Sequence, residues 1–441
     1  MADTTAETEG ETDNDTGDEN IETDPSDARF HLPLPPSNAT LAAADQQRDL
    51  ATPTRIAELH GIDVLRARVH EYIDRSDTDT TAEEWTPGDG VVCISLDSGL
   101  DAGHDAFEET DIMRITSHLR GTELDGRVAG TRGIRADLPA DRIGHGSLAA
   151  SVVTSQASGV EFFDLPIFGP AGTTTGRVII NAYQWILDNL DTITDGGRKQ
   201  AVLSGHSFGV SETIPAIDEL HNRISDRGVR DTVAAGNSGP DPVSGGSPAT
   251  ASDALSVGAC TLDGDLASFS ASNVSAGITN PDVSAVGVRV VGAQARGTRM
   301  GQSVTPDAPP TKRRTAASGT SFSRPVVTAV LSIVASIPGL DTPTATEMLT
   351  LLRETSRDLA STERDGAGII DGAAIAESII PDKTDDSQDD NVEPVVTAEA
   401  EARSWDFGPG ESVYIHDDLL PSGPLVAKKY EDGSVRLIPV R

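Results

Sequence analysis

Lysine is nearly absent from this chain. There are five in 441 residues (Lys199, Lys312, Lys383, Lys428 and Lys429), and Lys and Arg together number 34 against 70 Asp and Glu. A net charge of −36 leaves no basic surface to neutralise phosphates, which excludes nucleic acid and anionic membrane as partners. Cysteine is limited to Cys93 and Cys260, each inside an apolar, strand-like run (VVCISL and SVGACTL), so both read as small buried hydrophobes rather than as a disulfide. No apolar run approaches the roughly 18 residues of a membrane span. The opening residues MADTTAETEGETDNDTGDEN have no basic start, no paired arginines and no apolar stretch, so no export signal is read and cytoplasmic residence is expected. Aromatic residues make up only 4% of the chain, and Ala, Val, Gly and Thr dominate, so the core has to be built from small side chains that each bury little area.

Acid is abundant and spread along the chain. Eleven of the carboxylates fall between Asp3 and Asp27 with no base among them, and removing their −11 still leaves −25 of the −36 on the remainder. This balance is similar to that of proteins from extreme halophiles, whose carboxylate surfaces stay hydrated in molar salt, where the Debye length is about 3 Å. Adaptation to high salt, and a halophilic archaeal source, are therefore expected.

Residues 1–29 lack an apolar pattern, and disorder is expected there. In residues 30–85, Ile56, Leu59, Ile62, Leu65, Val69 and Ile73 recur at helical spacing. From residue 86 to about 380, strand-like runs (VVCISLD, VEFFDLPIF, AVLSGHSF, VRDTVAAG, ALSVGACTL, PDVSAVG) alternate with amphipathic helical stretches (GSLAASVVTSQ, GRVIINAYQWILDNL, ETIPAIDELHNRISDRG, SFSRPVVTAVLSIVASI). That alternation predicts an α/β fold, a mostly parallel central sheet covered by helices on both faces, with chemistry at the carboxyl ends of the strands. Residues 381–395 form an acidic, proline-bounded linker. Residues 396–441 end in LVAKKYE and SVRLIPV around Asp432-Gly433, a hairpin signal in a tail too short to hold a core alone.

Four segments put a reactive or hydrogen-bonding residue straight after a strand or at a helix start. Asp97 closes the strand of ISLDSGLDAGHDAF, and His145 precedes the helix of DRIGHGSLAASVV. Asn237 ends a strand within the glycine turn of VAAGNSG, and Ser321 enters the long apolar helix of SGTSFSRPVVTAVLSIV. Singly, each could be a capping or turn residue. Together, in the order Asp, His, Ser, they resemble the subtilisin-like serine peptidases, the subtilases, over much of residues 91–375, and LASFSASN, NPDVSAVG and GAGIIDGAAIAES agree in order.

The resemblance implies a three-layer αβα subtilisin-like fold in residues 86–380, with residues 30–85 as an N-terminal extension, either a short inhibitory propeptide or a docking arm. It implies that His145 takes the Ser321 hydroxyl proton, that Asp97 orients His145, and that Asn237 and the Ser321 N–H hold the oxyanion. Ser207, Phe208 and Gly209 would pair with an extended polypeptide substrate, and Ala234, Ala235 and Gly236 would form the opposite wall. No cofactor is required for this chemistry. Ala106 stands where relatives often place a calcium-ligating Asp, and the stretch after His145 is short, so that metal site is not carried over. No His or Cys ligand cluster is visible.

The sequence departs from the family in two further places. Ser147 replaces the usual Thr of His-Gly-Thr and keeps the hydroxyl. Phe322-Ser323-Arg324-Pro325-Val326 replaces small residues followed by Pro-His; Pro325 is expected in the first helical turn, and Arg324 reads first as a solvated helix-face charge, with a part in substrate preference as the alternative. Two rivals stand beside the peptidase. Gly205-His206-Ser207-Phe208-Gly209 satisfies G-x-S-x-G, which would make Ser207 an α/β-hydrolase nucleophile, although only His221 and His416 follow it. A degenerate subtilase that binds peptides without turnover is the other.

Overall fold

The computed structural model describes residues 24–32, 49–76, 78, 80–116, 127–130, 141–209, 212–240, 246–275, 278–359, 366–381, 412–415, 425–429 and 435–439. The acidic leader to residue 23 and the linker that follows Pro381 lie outside the described residues. In chain order the strands are β1 (Arg29–His31), β2 (Val91–Asp97), β3 (Ile112–Thr116), β4 (Arg127–Gly130), β5 (Glu161–Pro166), β6 (Thr173–Thr175), β7 (Gln200–His206), β8 (Arg230–Ala234) and β9 (Ser256–Cys260). Then come β10 (Asn273–Ser275), β11 (Ile278–Asn280), β12 (Val283–Val286), β13 (Val290–Ala293), β14 (Gln302–Ser303) and β15 (Arg314–Ala317). The helices are α1 (Pro53–Leu59), α2 (Ile62–Arg75), α3 (His145–Gln156), α4 (Gly176–Ile193), α5 (Pro215–Ser225), α6 (Thr320–Ala335), α7 (Ala345–Thr355) and α8 (Gly372–Ile379).

Eight strands form the central sheet in the order β12-β9-β8-β7-β2-β5-β3-β4, parallel except for β4 at one edge. All seven residues of β2 are buried, which is why that strand reads as an unbroken apolar run instead of an alternating one. Each face of the sheet carries its own core. On one, α1, α2, α3 and α6 contribute Ile56, Leu65, Val69, Leu148, Val153, Val327 and Leu331. On the other, α4 and α5 contribute Ile179, Ile186, Leu190, Ile217 and Ile224, joined by Phe30 and Leu32. This is a subtilisin-like three-layer α/β arrangement. Each buried Leu, Ile or Val is worth about 1.5–3 kcal/mol, so the many small contributions of a core poor in aromatics add up.

Local chemistry explains the element ends. In α7, Thr344 accepts the Glu347 N–H while the Glu347 carboxylate accepts the Thr344 N–H, a reciprocal cap. Asp371 caps α8 by accepting from Ala373 and Ala374. His60, between α1 and α2, is fully buried and ties this region to the sheet: its Nδ1 lies 3.1 Å from the Ile370 carbonyl oxygen, and its Nε2 accepts the Val286 N–H at 3.0 Å. The expected helical spacing in residues 56–73 is thus realised as two helices, packed within the core rather than standing apart from it.

Residues 383–441 form a separate unit, in which β16 (Ser412–Ile415), β17 (Leu425–Lys429) and β18 (Val435–Pro439) make an antiparallel three-stranded sheet.

Candidate active site

Asp97 is the last residue of β2, and His145 is the first of α3. Gly146 allows these ends to meet, because a Cβ there would lie 2.4 Å from the Gly99 carbonyl oxygen and 3.2 Å from the Asp97 Cβ. His145 Nδ1 sits 2.8 and 3.0 Å from the two Asp97 carboxylate oxygens, and its Nε2 is buried without a protein partner among the described residues. The carboxylate sets the tautomer, with the proton on Nδ1 and a free acceptor at Nε2.

A residue that sequence reasoning missed holds this pair in place. Asp141, fully buried, accepts from the N–H groups of Ile143 (3.0 Å), Gly144 (2.7 Å) and Ser147 (2.9 Å) and from the hydroxyls of Ser147 (2.7 Å) and Ser98 (2.9 Å). It thereby caps the orphan donors of α3 and ties them to the residue after Asp97. Burial pushes its carboxyl up from the usual range, opposed by those donors. The Ser147 hydroxyl kept in place of Thr is used twice, since it also accepts the Asp101 N–H at 2.9 Å. An acid four residues ahead of a helix start was the readable signal.

Ser321 is the second residue of α6, and the next residue, Phe322, sets its ring 5.3 Å from that of His145. Pro325 is the sixth residue of this helix, inside it and not in its first turn, which corrects the sequence expectation. Lacking an N–H, it leaves the Ser321 carbonyl without its intrahelical donor. The Ser207 hydroxyl donates to that carbonyl at 3.4 Å, and the Ser321 hydroxyl reaches the Ser207 carbonyl at 3.5 Å. Asn237 lies against the same helix start: its Oδ1 accepts from the Thr320 N–H (2.9 Å) and hydroxyl (3.0 Å), and its buried Nδ2 has no protein partner among the described residues. An amide donor left free beside a helix N-terminus can stabilise a developing anion.

Of the expected wall, Ala234 ends β8, Ala235 donates its N–H to the Val257 carbonyl, and Gly236 donates to the Thr320 hydroxyl at 3.1 Å. On the other side Phe208 is buried against Phe168 (ring centroids 5.5 Å apart), and Gly209 pairs antiparallel with His31.

Arg324 is a second correction. It is fully buried, not solvated, because all sixteen residues of α6 are buried and the helix has no solvent face. Its Nε–H donates to the Ser207 hydroxyl at 3.0 Å, and its Nη1 lies 3.2 Å from the Thr328 hydroxyl and 3.4 Å from that of Thr232. Burial pulls the guanidinium down to about 10, with Asp97 and Asp231 opposing. Ser207 therefore has a guanidinium and a carbonyl as partners and no imidazole, and the G-x-S-x-G rival has no base.

The two histidines near that motif are engaged elsewhere. His206 (β7), Asp231 (β8) and His221 (α5) are fully buried and converge: His206 Nδ1 lies 2.8 and 3.0 Å from the Asp231 oxygens, and His221 Nε2 contacts the same carboxylate. These are the described residues grouped closely enough to hold a metal ion, a cluster the sequence hides because its members lie on three elements. Burial opposes ionisation of Asp231, yet the two imidazoles hold its carboxyl well below the usual range, and burial lowers His206. Asp231 can accept one N–H from each ring, while His206 Nε2 and His221 Nδ1 are buried with no hydrogen-bond partner among the described residues.

A parallel-sheet domain that carries Asp, His and Ser at these strand and helix ends, in this chain order, has the architecture of a subtilisin-like hydrolase. The model of the Subtilase family matches residues 88–368, and the chain belongs to that family. It is similar to a subtilisin-like protease of Coccidioides posadasii, 28% identical over 264 residues, 59% of this chain and 55% of that protein. It also matches subtilisin-like protease PopC of Myxococcus xanthus, 29% identical over 232 residues (47% and 46%), and subtilisin-like protease 2 of Trichophyton rubrum, 28% identical over 186 residues (42% and 39%). The chain spans about half the length of the first of these relatives and less of the others. No helix among the described residues is long and apolar enough to cross a membrane.

Proposed function

We propose that this chain is a serine endopeptidase that hydrolyses extended polypeptide segments through an acyl-enzyme. The observation that carries the reading is the buried Asp97–His145 pair, with a free Nε2, set against the helix turn that bears Ser321. In this reading His145 Nε2 takes the Ser321 hydroxyl proton as Oγ attacks a peptide carbonyl, and Asp97 stabilises the imidazolium. The free Nδ2–H of Asn237 and the Ser321 N–H donate to the tetrahedral oxyanion. As the C–N bond breaks, the imidazolium returns the proton to the leaving amine. Water then attacks the ester, His145 again takes the proton, and the acid product leaves with the Ser321 hydroxyl restored.

Covalent labelling with a fluorophosphonate, mapped by mass spectrometry, tests this reading with a probe small enough to reach the serine directly. Labelling is expected on Ser321, with none in Ser321→Ala or His145→Ala. Modification of Ser207, or no labelling of the wild type, would overturn the assignment.

The proposal includes adaptation to high salt and residence in a salt-rich cytoplasm, supported by the −25 carried outside the acidic leader. Lowering KCl from molar to about 0.1 M lengthens screening from about 3 Å to about 10 Å, so self-repulsion should unfold the chain. Unchanged circular dichroism on dilution would remove this part and leave the chemistry standing.

A further inference from the structure

Base is scarce in this chain, yet one stretch gathers it. Residues 289–314 hold Arg289, Arg296, Arg299, Lys312, Arg313 and Arg314 against the single acid Asp307, in a chain where 70 acids face 34 bases. The stretch runs along β13 and β14 into β15, the strand that leads to the α6 turn bearing Ser321. Between β13 and β15 it folds around a cavity of about 410 Å³, within the roughly 300–1,000 Å³ of ligand sites. Gln294, Arg296, Thr298, Arg299, Ser303 and Arg313 supply its polar side chains, and no carboxylate lines it.

The walls of this cavity are held by internal bonds. Arg296 forks onto the buried Asp101 carboxylate, Nη2 at 2.6 Å from Oδ1 and Nε at 3.0 Å from both oxygens, and the Asp101 N–H in turn donates to the Ser147 hydroxyl. Gln294 joins the two ends of the loop, donating from Nε2 to the Thr298 carbonyl (3.0 Å) and from its N–H to the Arg313 carbonyl (2.9 Å). Arg296 is thus neutralised from within. Arg299 and Arg313 are not: Arg299 is exposed, the Arg313 Nε–H donates to the Ala308 carbonyl at 3.1 Å, and among the described residues no carboxylate pairs with either. Two guanidinium groups that find no internal acid in so acidic a chain point to an acid supplied from outside.

The cavity adjoins the candidate active site. A Cβ at Gly144 (φ +99°) would lie 2.7 Å from the Thr298 hydroxyl oxygen and 3.2 Å from the Met300 Cβ, so the loop presses on the residue before His145. His145 hands its proton to the leaving amine, so the part of a substrate beyond the cleaved bond departs along the His145 side. We propose that the cavity is a carboxylate receptor for this leaving segment, in which Arg299 and Arg313 take an Asp or Glu side chain, or the C-terminal carboxylate of the substrate, a few residues past the cleaved bond. The inference rests on the endopeptidase reading for its place in the reaction. A guanidinium meets a carboxylate through two parallel N–H donors, a contact that depends on geometry as well as on charge. Molar KCl shortens screening to about 3 Å, which removes attraction at a distance and leaves the direct contact.

The test compares internally quenched peptides in molar KCl, with the cleaved bond located by mass spectrometry. One set carries Glu, Gln or Lys at each of the three positions after that bond, and a second ends there in a free acid or an amide. For one pair, kcat/KM should favour the acid by about fivefold or more. A gain with Glu identifies a side chain as the ligand, and a gain confined to the free acid identifies a chain end. The acid-to-neutral ratio should fall toward one in Arg299→Gln and Arg313→Gln, and Arg299→Glu should turn it in favour of Lys. A ratio taken within one chain is not moved by a general loss of activity, and Arg299 is exposed, so its replacements keep the fold even if Arg313→Gln does not. Equal hydrolysis of acidic and neutral peptides by the wild type would overturn the receptor and spare the peptidase. A second arm needs no catalysis: fluorescein-labelled Ala-Glu-Glu-Ala amide, Ala-Gln-Gln-Ala amide and Ala-Gln-Gln-Ala free acid are titrated by anisotropy into Ser321→Ala chains with and without Arg299→Gln. Tighter binding of either acidic peptide, lost with Arg299→Gln, would uphold the receptor even where no chain hydrolyses any peptide, a result that would overturn the peptidase reading alone. Equal affinities throughout would overturn the receptor.

Discussion

Replacing Arg324 by methionine should separate stability from activity. The guanidinium is fully buried, and burial pulls it to about 10 from 12.5, with Asp97 and Asp231 opposing. That difference amounts to ~3 kcal/mol against the charged native form. The native pKa lies below the unfolded one, so the penalty is present in full at every pH below about 10 and is relieved only above it. Methionine fills similar volume and removes the penalty. Against this, hydrogen bonds to the hydroxyls of Ser207, Thr328 and Thr232 are lost, at ~1 kcal/mol each. Two of those hydroxyls already pair with each other, Thr232 with Thr328 at 2.6 Å, so they are not orphaned. The terms nearly cancel, and unfolding in urea at molar KCl should change by no more than ~1.5 kcal/mol. Activity should not be spared. Ser207 loses the donor that fixes it beside Ser321, and small displacements at a reacting centre are costly, about 10²-fold for 1 Å. Fluorophosphonate labelling of Ser321 should slow at least tenfold. Destabilisation beyond ~4 kcal/mol with an unchanged labelling rate would refute the reasoning.

Further outcomes follow from single groups. Burial holds His60 at about 4 against its usual 6.5, so its neutral form contributes ~3 kcal/mol of stability that is complete above pH 6.5 and lost as pH falls to 4; His60→Gln should flatten the stability–pH curve in that window, as read by denaturant titration. Asn237→Asp keeps the acceptor for Thr320 but removes the free donor. It should lower kcat with little change in KM, by the roughly 10²–10³ known for such a donor in subtilisin itself. A change confined to KM would argue that the amide contacts substrate alone. Burial pushes both Cys93 and Cys260 up to about 12, so a thiol reagent at neutral pH should find neither in the native chain and both after unfolding.

Much of this was legible in the sequence because the sheet's interior is simple. Fully buried parallel strands such as β2 and β9 appear as apolar runs, and Asp97 announces itself by ending one of them. His145 and Ser321 sit at helix starts, where small residues mark the turn. What escaped notice depends on neighbours far away in the chain. Arg324 looks exposed to any rule that turns charge toward water, and only the burial of α6 on every side reverses that. His206, His221 and Asp231 look like ordinary polar residues until α5 packs on β7 and β8. The short β3 also hides a charge, since Arg114 is buried against Asp164 at 2.7 Å and breaks the apolar pattern that would have flagged the strand. β1 is three residues long, and its partners lie some 140 and 180 positions onward, a pairing that no local pattern encodes.

The complete enclosure of α6 bears on how this chain can be controlled. A helix without a solvent face cannot fray on its own, so amide exchange along its length should report only global unfolding, and Ser321 should keep its setting for as long as the domain remains folded. Loss of activity on heating or dilution would then measure unfolding itself rather than a local loosening. Adjustment short of unfolding is left to short pairings at the rim, such as those of His31 with Gly209 and with β6.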